Sequence, residues 1–167
     1  MIESLKALVV EDNAHMRALL RSLLMALGLR DVSEAANGEE AFAMLHEHGA
    51  DLILTDLSME PVDGIAFTRA VRSAEDSPNP YVPIIMVTGH TARDRVEAAR
   101  DAGVTEFLAK PVTVHNLLLR VLEIIERPRP YVRCPSYFGP DRRRRNDGTY
   151  GGPWRRNDDI SLTAEVA

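Results

Sequence analysis

The chain has 167 residues, a net charge of −5 and a single cysteine, Cys134. One cysteine excludes an internal disulfide framework, and no Cys/His cluster has structural-zinc spacing. No apolar run approaches the roughly 18 to 20 residues that span a bilayer, so no membrane insertion is expected.

The opening Met1-Ile2-Glu3-Ser4-Leu5-Lys6 lacks the basic region and apolar stretch of a signal peptide, which predicts a cytoplasmic protein. Leu5 to Val10 reads as a first strand and runs into Glu11-Asp12. Asn13 then precedes a helix with Met16, Leu19, Leu20, Leu23, Leu24 and Leu27 at spacings of three and four, stopped by Gly28. Val32 to Ala36 gives a weak second strand. A turn at Asn37-Gly38 leads into a helix with Ala41, Phe42, Met44 and Leu45 on its apolar side, closed by Gly49. Asp51 to Asp56 is short, apolar and rich in branched residues, the pattern of a buried parallel strand. The turn Ser58 to Gly64 follows it.

Gly64 opens a third helix through Ile65, Phe67, Ala70 and Val71, and Ser77-Pro78-Asn79-Pro80 is a loop by composition. Ile84 to Val87 is a fourth strand ending at Thr88. Thr91 to Ala102 is a polar helix whose thin apolar face is Val96, Ala99 and Ala102. Gly103 closes it. Glu106 to Ala109 is a fifth strand ending at Lys110-Pro111. The last helix carries Leu117, Leu118, Val121, Leu122 and Ile125 and ends at Pro128.

Five strand–helix alternations predict a doubly wound α/β fold, a five-stranded parallel sheet with right-handed crossovers and helices on both faces. The expected order is the flavodoxin-like 2-1-3-4-5, which sets the first and third strands side by side. In such sheets chemistry gathers at the C-terminal strand ends. There the sequence places Glu11, Asp12, Asp56, Thr88 and Lys110.

Clustered carboxylates resist common ionisation unless a cation sits among them. A hard, oxygen-seeking ion such as Mg²⁺ answers that, and it brings phosphate chemistry with it. Asp56 is then the nucleophile that forms an aspartyl phosphate. Lys110 neutralises one phosphate oxygen and Thr88 hydrogen-bonds another. No Gly-rich phosphate loop or dinucleotide fingerprint competes.

This pattern, with Met59 and Asp63-Gly64 downstream of Asp56 and with Lys110-Pro111, closely resembles the CheY-like receiver domain of two-component response regulators over residues 5 to about 127. The resemblance implies a signalling protein rather than an enzyme, phosphorylated at Asp56 by a sensor histidine kinase or a phosphotransfer protein. It implies Mg²⁺ on Asp12 and Asp56, with Glu11 helping and the Ser58 backbone carbonyl contributing. Thr88 and Phe107 would be the switch pair. Three departures stand out: Pro61 lies one residue late behind Glu60, Gly89 replaces the commoner alanine, and Phe107 stands in place of a hydrogen-bonding tyrosine. Ser58 and His90 occupy positions that tune phosphoryl lifetime in that family. A phosphatase on a similar fold would need an acid two residues after Asp56, where Ser58 stands.

Residues 1–127 read as the receiver domain and residues 128–167 as an irregular arginine-rich tail. The first segment holds 12 Lys and Arg against 20 acids, a net of −8. The second holds 8 Arg against 5 acids, a net of +3. No DNA-binding helix-turn-helix and no second catalytic domain is expected within these 40 residues. The tail repeats Tyr-x-Gly-Pro-x-Arg-Arg, first at Tyr137, Gly139, Pro140, Asp141, Arg142 and Arg143, with Arg145 close behind. It recurs at Tyr150, Gly152, Pro153, Trp154, Arg155 and Arg156. Gly-Pro is expected to set a turn. Arginine forks onto guanine edges and onto phosphate, so two units suit a ligand with two guanines and two phosphates. The tail resembles the extension of a CheY-like subgroup that binds cyclic di-GMP and contacts the flagellar motor switch. That resemblance implies cyclic di-GMP on these residues and an output through the fourth helix, fifth strand and fifth helix. Three other readings stay open: docking of the tail on an acidic partner, docking on the receiver's own acidic face, and general nucleic-acid binding.

Overall fold

The computed structural model describes residues 2–89 and 93–142, together with the backbone of 163–165. A short 3₁₀ turn at Ile2–Ser4 leads into β1 (Lys6–Val10). Then follow α1 (Ala14–Ala26), β2 (Asp31–Ala35), α2 (Gly38–His48), β3 (Leu52–Asp56), α3 (Gly64–Ser73), β4 (Ile84–Thr88), α4 (Arg93–Ala102), β5 (Glu106–Ala109) and α5 (Val114–Glu126). The first five strands form one parallel sheet in the order β2-β1-β3-β4-β5, as the alternation predicts.

Side-chain alternation along the strands divides the core into two layers. Val9, Leu54, Val87 and Leu108 face Leu20 and Leu24 of α1 and Leu117 and Val121 of α5. Leu8, Val10, Ile53 and Ile84 face Ala41 and Leu45 of α2 and Phe67 and Val71 of α3. Full burial of each large side chain contributes about 1.5–3 kcal/mol, so the buried inner strands β3 and β4 anchor the sheet. β2 reads weakly because it is an edge strand whose residues, except Ala35, stay partly or fully exposed. The helices start where side-chain caps are available. Asn13, Asn37, Asp63 and Thr113 each accept a first-turn backbone N–H.

One expectation is overturned. The start of the tail is not irregular. Strands β6 (Tyr131–Cys134) and β7 (Tyr137–Pro140) form an antiparallel hairpin, with Tyr131 opposite Pro140 and Cys134 opposite Tyr137. Pro135-Ser136 makes the two-residue connection. Gly139-Pro140 is therefore the end of a strand, not a turn. Pro140 lies on β7, an edge strand of its sheet, where the missing N–H is tolerated. Backbone 163–165 adds a third strand, β8, on the other side of β6.

Candidate functional site

The C-terminal ends of β1, β3, β4 and β5 lie along one edge of the sheet, so the sequence-chosen side chains share a neighbourhood by register. Val10 pairs with Thr55, Asp56 with Val87 and Thr88 with Ala109. Asp56 ends β3 and is 6% exposed, and Glu11, directly after β1, is 2% exposed. Both carboxylates meet one ammonium: Lys110 Nζ lies 2.7 Å from Asp56 Oδ1 and 3.2 Å from Glu11 Oε2.

Backbone amides hold the remaining oxygens. Ser58 N–H donates to Asp56 Oδ2 at 2.9 Å, and Asn13 N–H donates to Glu11 Oε1 at 3.2 Å. Burial, reinforced by the nearby Asp56 charge, raises the Glu11 carboxyl above the usual range against these opposing bonds. Burial pulls the Lys110 ammonium down, but its bonds to Asp56 and Glu11 outweigh it, so the net shift is upward. Lys110 is held as a cation.

The loop after β3 depends on Gly64. A Cβ there would lie 2.1 Å from the Asp56 carbonyl oxygen, so only glycine lets α3 start against the end of β3. Gly64 N–H donates to the Leu57 carbonyl at 3.1 Å. The Lys110–Pro111 and Glu60–Pro61 peptides are both cis.

Thr88 is buried at the end of β4, and its carbonyl accepts from Lys110 N–H at 3.0 Å. Phe107 is half-buried against the cluster of Leu57, Ile65, Met86, Ala99, Ala102 and Val104. Asp12 and Ser58 are exposed in their loops. Among the described residues no three Asp, Glu, His or Cys side chains are gathered closely enough to hold a metal by themselves. The structure thus draws Glu11 and Asp56 together on Lys110 and leaves Asp12 outside that contact.

Two supporting groups escaped the sequence reading. Arg17 Nη1 donates to the Glu11 carbonyl at 2.6 Å, and Asn13 serves both as helix cap and, through its N–H, as the clamp on Glu11. Only the helix-start signal at Asn13 was there to be read.

The tail residues lie elsewhere. Tyr137, Gly139 and Pro140 form β7, with Asp141 and Arg142 just after it. Tyr137 Oη donates to the Pro140 carbonyl at 2.7 Å. The Arg142 guanidinium stacks over the Tyr137 ring, 4.0 Å from its centroid, and pairs with Asp101 Oδ1 at 3.2 Å. The hairpin sits at the starts of β4 and β5, the sheet edge opposite Asp56. Tyr131 Oη donates to the Tyr81 carbonyl at 2.6 Å, and Arg129 pairs with Glu106 at 2.8 Å. His90, Arg143, Arg145, Tyr150, Gly152, Pro153, Trp154, Arg155 and Arg156 lie outside the described residues.

Comparison with known proteins agrees with this geometry. The response regulator receiver domain family matches residues 7–122. The chemotaxis protein CheY of Pseudomonas aeruginosa is 37% identical over 123 residues, covering 74% of this chain and 98% of that protein. Among solved structures, Vibrio cholerae chemotaxis protein CheY4 is 29% identical with a TM-score of 0.66, covering 72% of this chain and 98% of that one. The receiver domain of a Pseudomonas aeruginosa sensor histidine kinase, solved with a magnesium ion coordinated in its active-site cleft, is 32% identical. Its TM-score is 0.62, with 71% of this chain and 94% of that one covered. With its sheet order, its buried Asp56 and the Lys110 ammonium against it, the chain belongs to the CheY-like response regulator receiver family.

Proposed function

We propose that the protein is a two-component response regulator that accepts a phosphoryl group on Asp56 from a histidine kinase or phosphotransfer protein. The observation that carries this reading is the buried Asp56 carboxylate at a strand end, 2.7 Å from Lys110 Nζ, in a chain of the receiver family. An Asp56 oxygen attacks phosphorus, the donor's P–N bond breaks, and the freed imidazole nitrogen takes a proton from solvent. Lys110 leaves its present contact with the carboxylate to neutralise a phosphoryl oxygen without leaving the site. Thr88 hydrogen-bonds another, and Phe107 follows it inward by packing.

The donor set suits Mg²⁺. That ion takes only one or two carboxylates and completes its shell with water and phosphate oxygens, so the absence of a three-carboxylate group among the described residues is no obstacle. Asp56, Asp12 and the Ser58 carbonyl would hold it, with Glu11 behind them, and it would supply charge for the phosphoryl oxygens. A small-molecule phosphoryl donor with Mg²⁺ should label the protein. EDTA, or Asp56→Asn, should abolish labelling. Labelling that survives Asp56→Asn contradicts this reading.

The finer output has two readings. In the first, the tail binds cyclic di-GMP and the α4–β5–α5 face contacts a protein such as a flagellar motor switch component. The repeated Tyr-x-Gly-Pro-x-Arg-Arg units and the kinship with chemotaxis proteins support it. In the second, the tail is a protein-docking strap. The pairing of Arg142 with Asp101 and of Arg129 with Glu106 supports a docking role, with the receiver's own acidic residues as the surface. Titration of cyclic di-GMP against Trp154 fluorescence, with GMP as control, separates them. A saturable, specific change lost in Arg143→Ala/Arg156→Ala supports the first, and no change supports the second.

A further inference from the structure

Two strands carry the switch pair, and one helix joins them. β4 leads to Thr88, β5 leads through Phe107 to Lys110, and α4 lies between them in sequence. The hairpin grips the near parts of the same three. Just ahead of β4, Tyr131 Oη donates to the carbonyl of Tyr81, and the rings of Tyr81, Tyr131 and Phe138 pack with centroids 5.2–5.8 Å apart. At β5, the buried Glu106 carboxylate is held by Arg129, just ahead of the hairpin, at 2.8 Å, and by Arg120 of α5 at 3.5 Å.

The grip on α4 is the closest. Gly139 of β7 lies against Gly103, the residue after α4. A Cβ on Gly139 would stand 3.0 Å from Gly103 Cα and 2.7 Å from Tyr137 Oη. A Cβ on Gly103, at φ 101°, would stand 3.1 Å from the Phe138 carbonyl oxygen. Arg72, buried in α3, donates to the Gly103 carbonyl at 3.0 Å and lies over the Tyr131 ring at 5.3 Å. Arg142 closes the contact on Asp101, in the last turn of α4.

Besides the hairpin, α4 rests on α3 and the end of β4 through a thin apolar face. Only Ala99 and Ala102 of its ten residues are buried, and an alanine adds far less apolar area than a leucine. A helix so lightly seated is the element whose position external contacts decide most readily.

We propose that the β6–β7 hairpin is an intramolecular brace that holds α4 and the starts of β4 and β5 in the arrangement described here, and so opposes the shift that follows phosphorylation of Asp56. This rests on the switch reading of Thr88 and Phe107. The close Gly103–Gly139 approach tolerates little displacement of α4, so a shifted α4 loses the hairpin contacts. By reciprocity, a weakened hairpin favours the phosphorylated arrangement.

The test uses the full chain with Mg²⁺ and beryllofluoride, a mimic of the acyl phosphate. Amide hydrogen exchange of residues 131–139 is followed with and without the mimic. Its affinity is measured for wild type, Asp101→Asn and Gly139→Val, with circular dichroism as a check on folding. Asp101→Asn is the mild variant that stays informative if Gly139→Val folds poorly. The brace predicts faster hairpin exchange on saturation and at least about fivefold tighter binding in the variants, the lower end of ordinary coupling between two sites. Binding to wild type with unchanged hairpin exchange and unchanged variant affinity overturns the brace alone. No binding to wild type overturns the reading of the Asp56 site and the brace with it.

Discussion

Lys110 stands between two buried carboxylates and is the single cation that touches both Glu11 and Asp56 among the described contacts. Removing it leaves those charges facing each other with less compensation. Lys110→Met should therefore destabilise the protein by roughly 1–3 kcal/mol at neutral pH. Adding Glu11→Gln should recover part of that loss, read as a shift of the urea midpoint. No recovery would show that Lys110 acts by packing. Away from the site, His46 sets both ring nitrogens against carbonyls, Phe42 O at 2.9 Å and Asp76 O at 2.8 Å. The Phe42 carbonyl, followed by weaker help from Asp76, raises its pKa above the ordinary imidazole value. A raised cation favours the fold fully below the unfolded pKa, and the contribution fades as pH rises through the folded one. An NMR titration should place His46 above a free imidazole, and a midpoint at or below it would refute the bridge. Asp56, Glu11 and Lys110 were legible because each ends or follows an apolar run. Arg17 and the Asn13 N–H were not, because backbone-directed contacts leave no spacing signal.

Among elements, the β3–α3 corner is the tightest. The 2.1 Å approach that a Cβ on Gly64 would make to the Asp56 carbonyl cannot be relieved by turning a side chain. Gly64→Ala should thus cost on the order of 1–3 kcal/mol and slow phosphorylation, measured by denaturation and by labelling with a small-molecule donor. Wild-type rates in a destabilised variant would separate the corner's folding role from its role at Asp56. The strand and helix order was readable because five periodic segments were punctuated by Gly28, Gly49 and Gly103, all at positive φ. The hairpin was not. Its strands have four residues each, Gly139-Pro140 mimics a turn, and the partners that order it, Tyr81, Arg72 and Asp101, lie 30 or more residues away in sequence.

In the whole molecule, both faces of the sheet are closed by α1 to α5, and the hairpin adds to an already complete core. A chain ending at residue 127 should consequently fold with the same five-stranded sheet. Its melting temperature should fall, because Glu106 loses Arg129 while keeping Arg120. An unfolded product would mean that the hairpin belongs to the folding core. The site and the hairpin occupy opposite edges of one sheet, and α3, β4, α4 and β5 run between them. All of this depends on where the phosphoryl group goes. The most direct measurement is peptide mass spectrometry of the full chain after treatment with a small-molecule phosphoryl donor and Mg²⁺. The account predicts one phosphoryl group, on Asp56, absent in Asp56→Asn and absent with EDTA. A phosphoryl group on any other residue, or none on a folded protein, would contradict it.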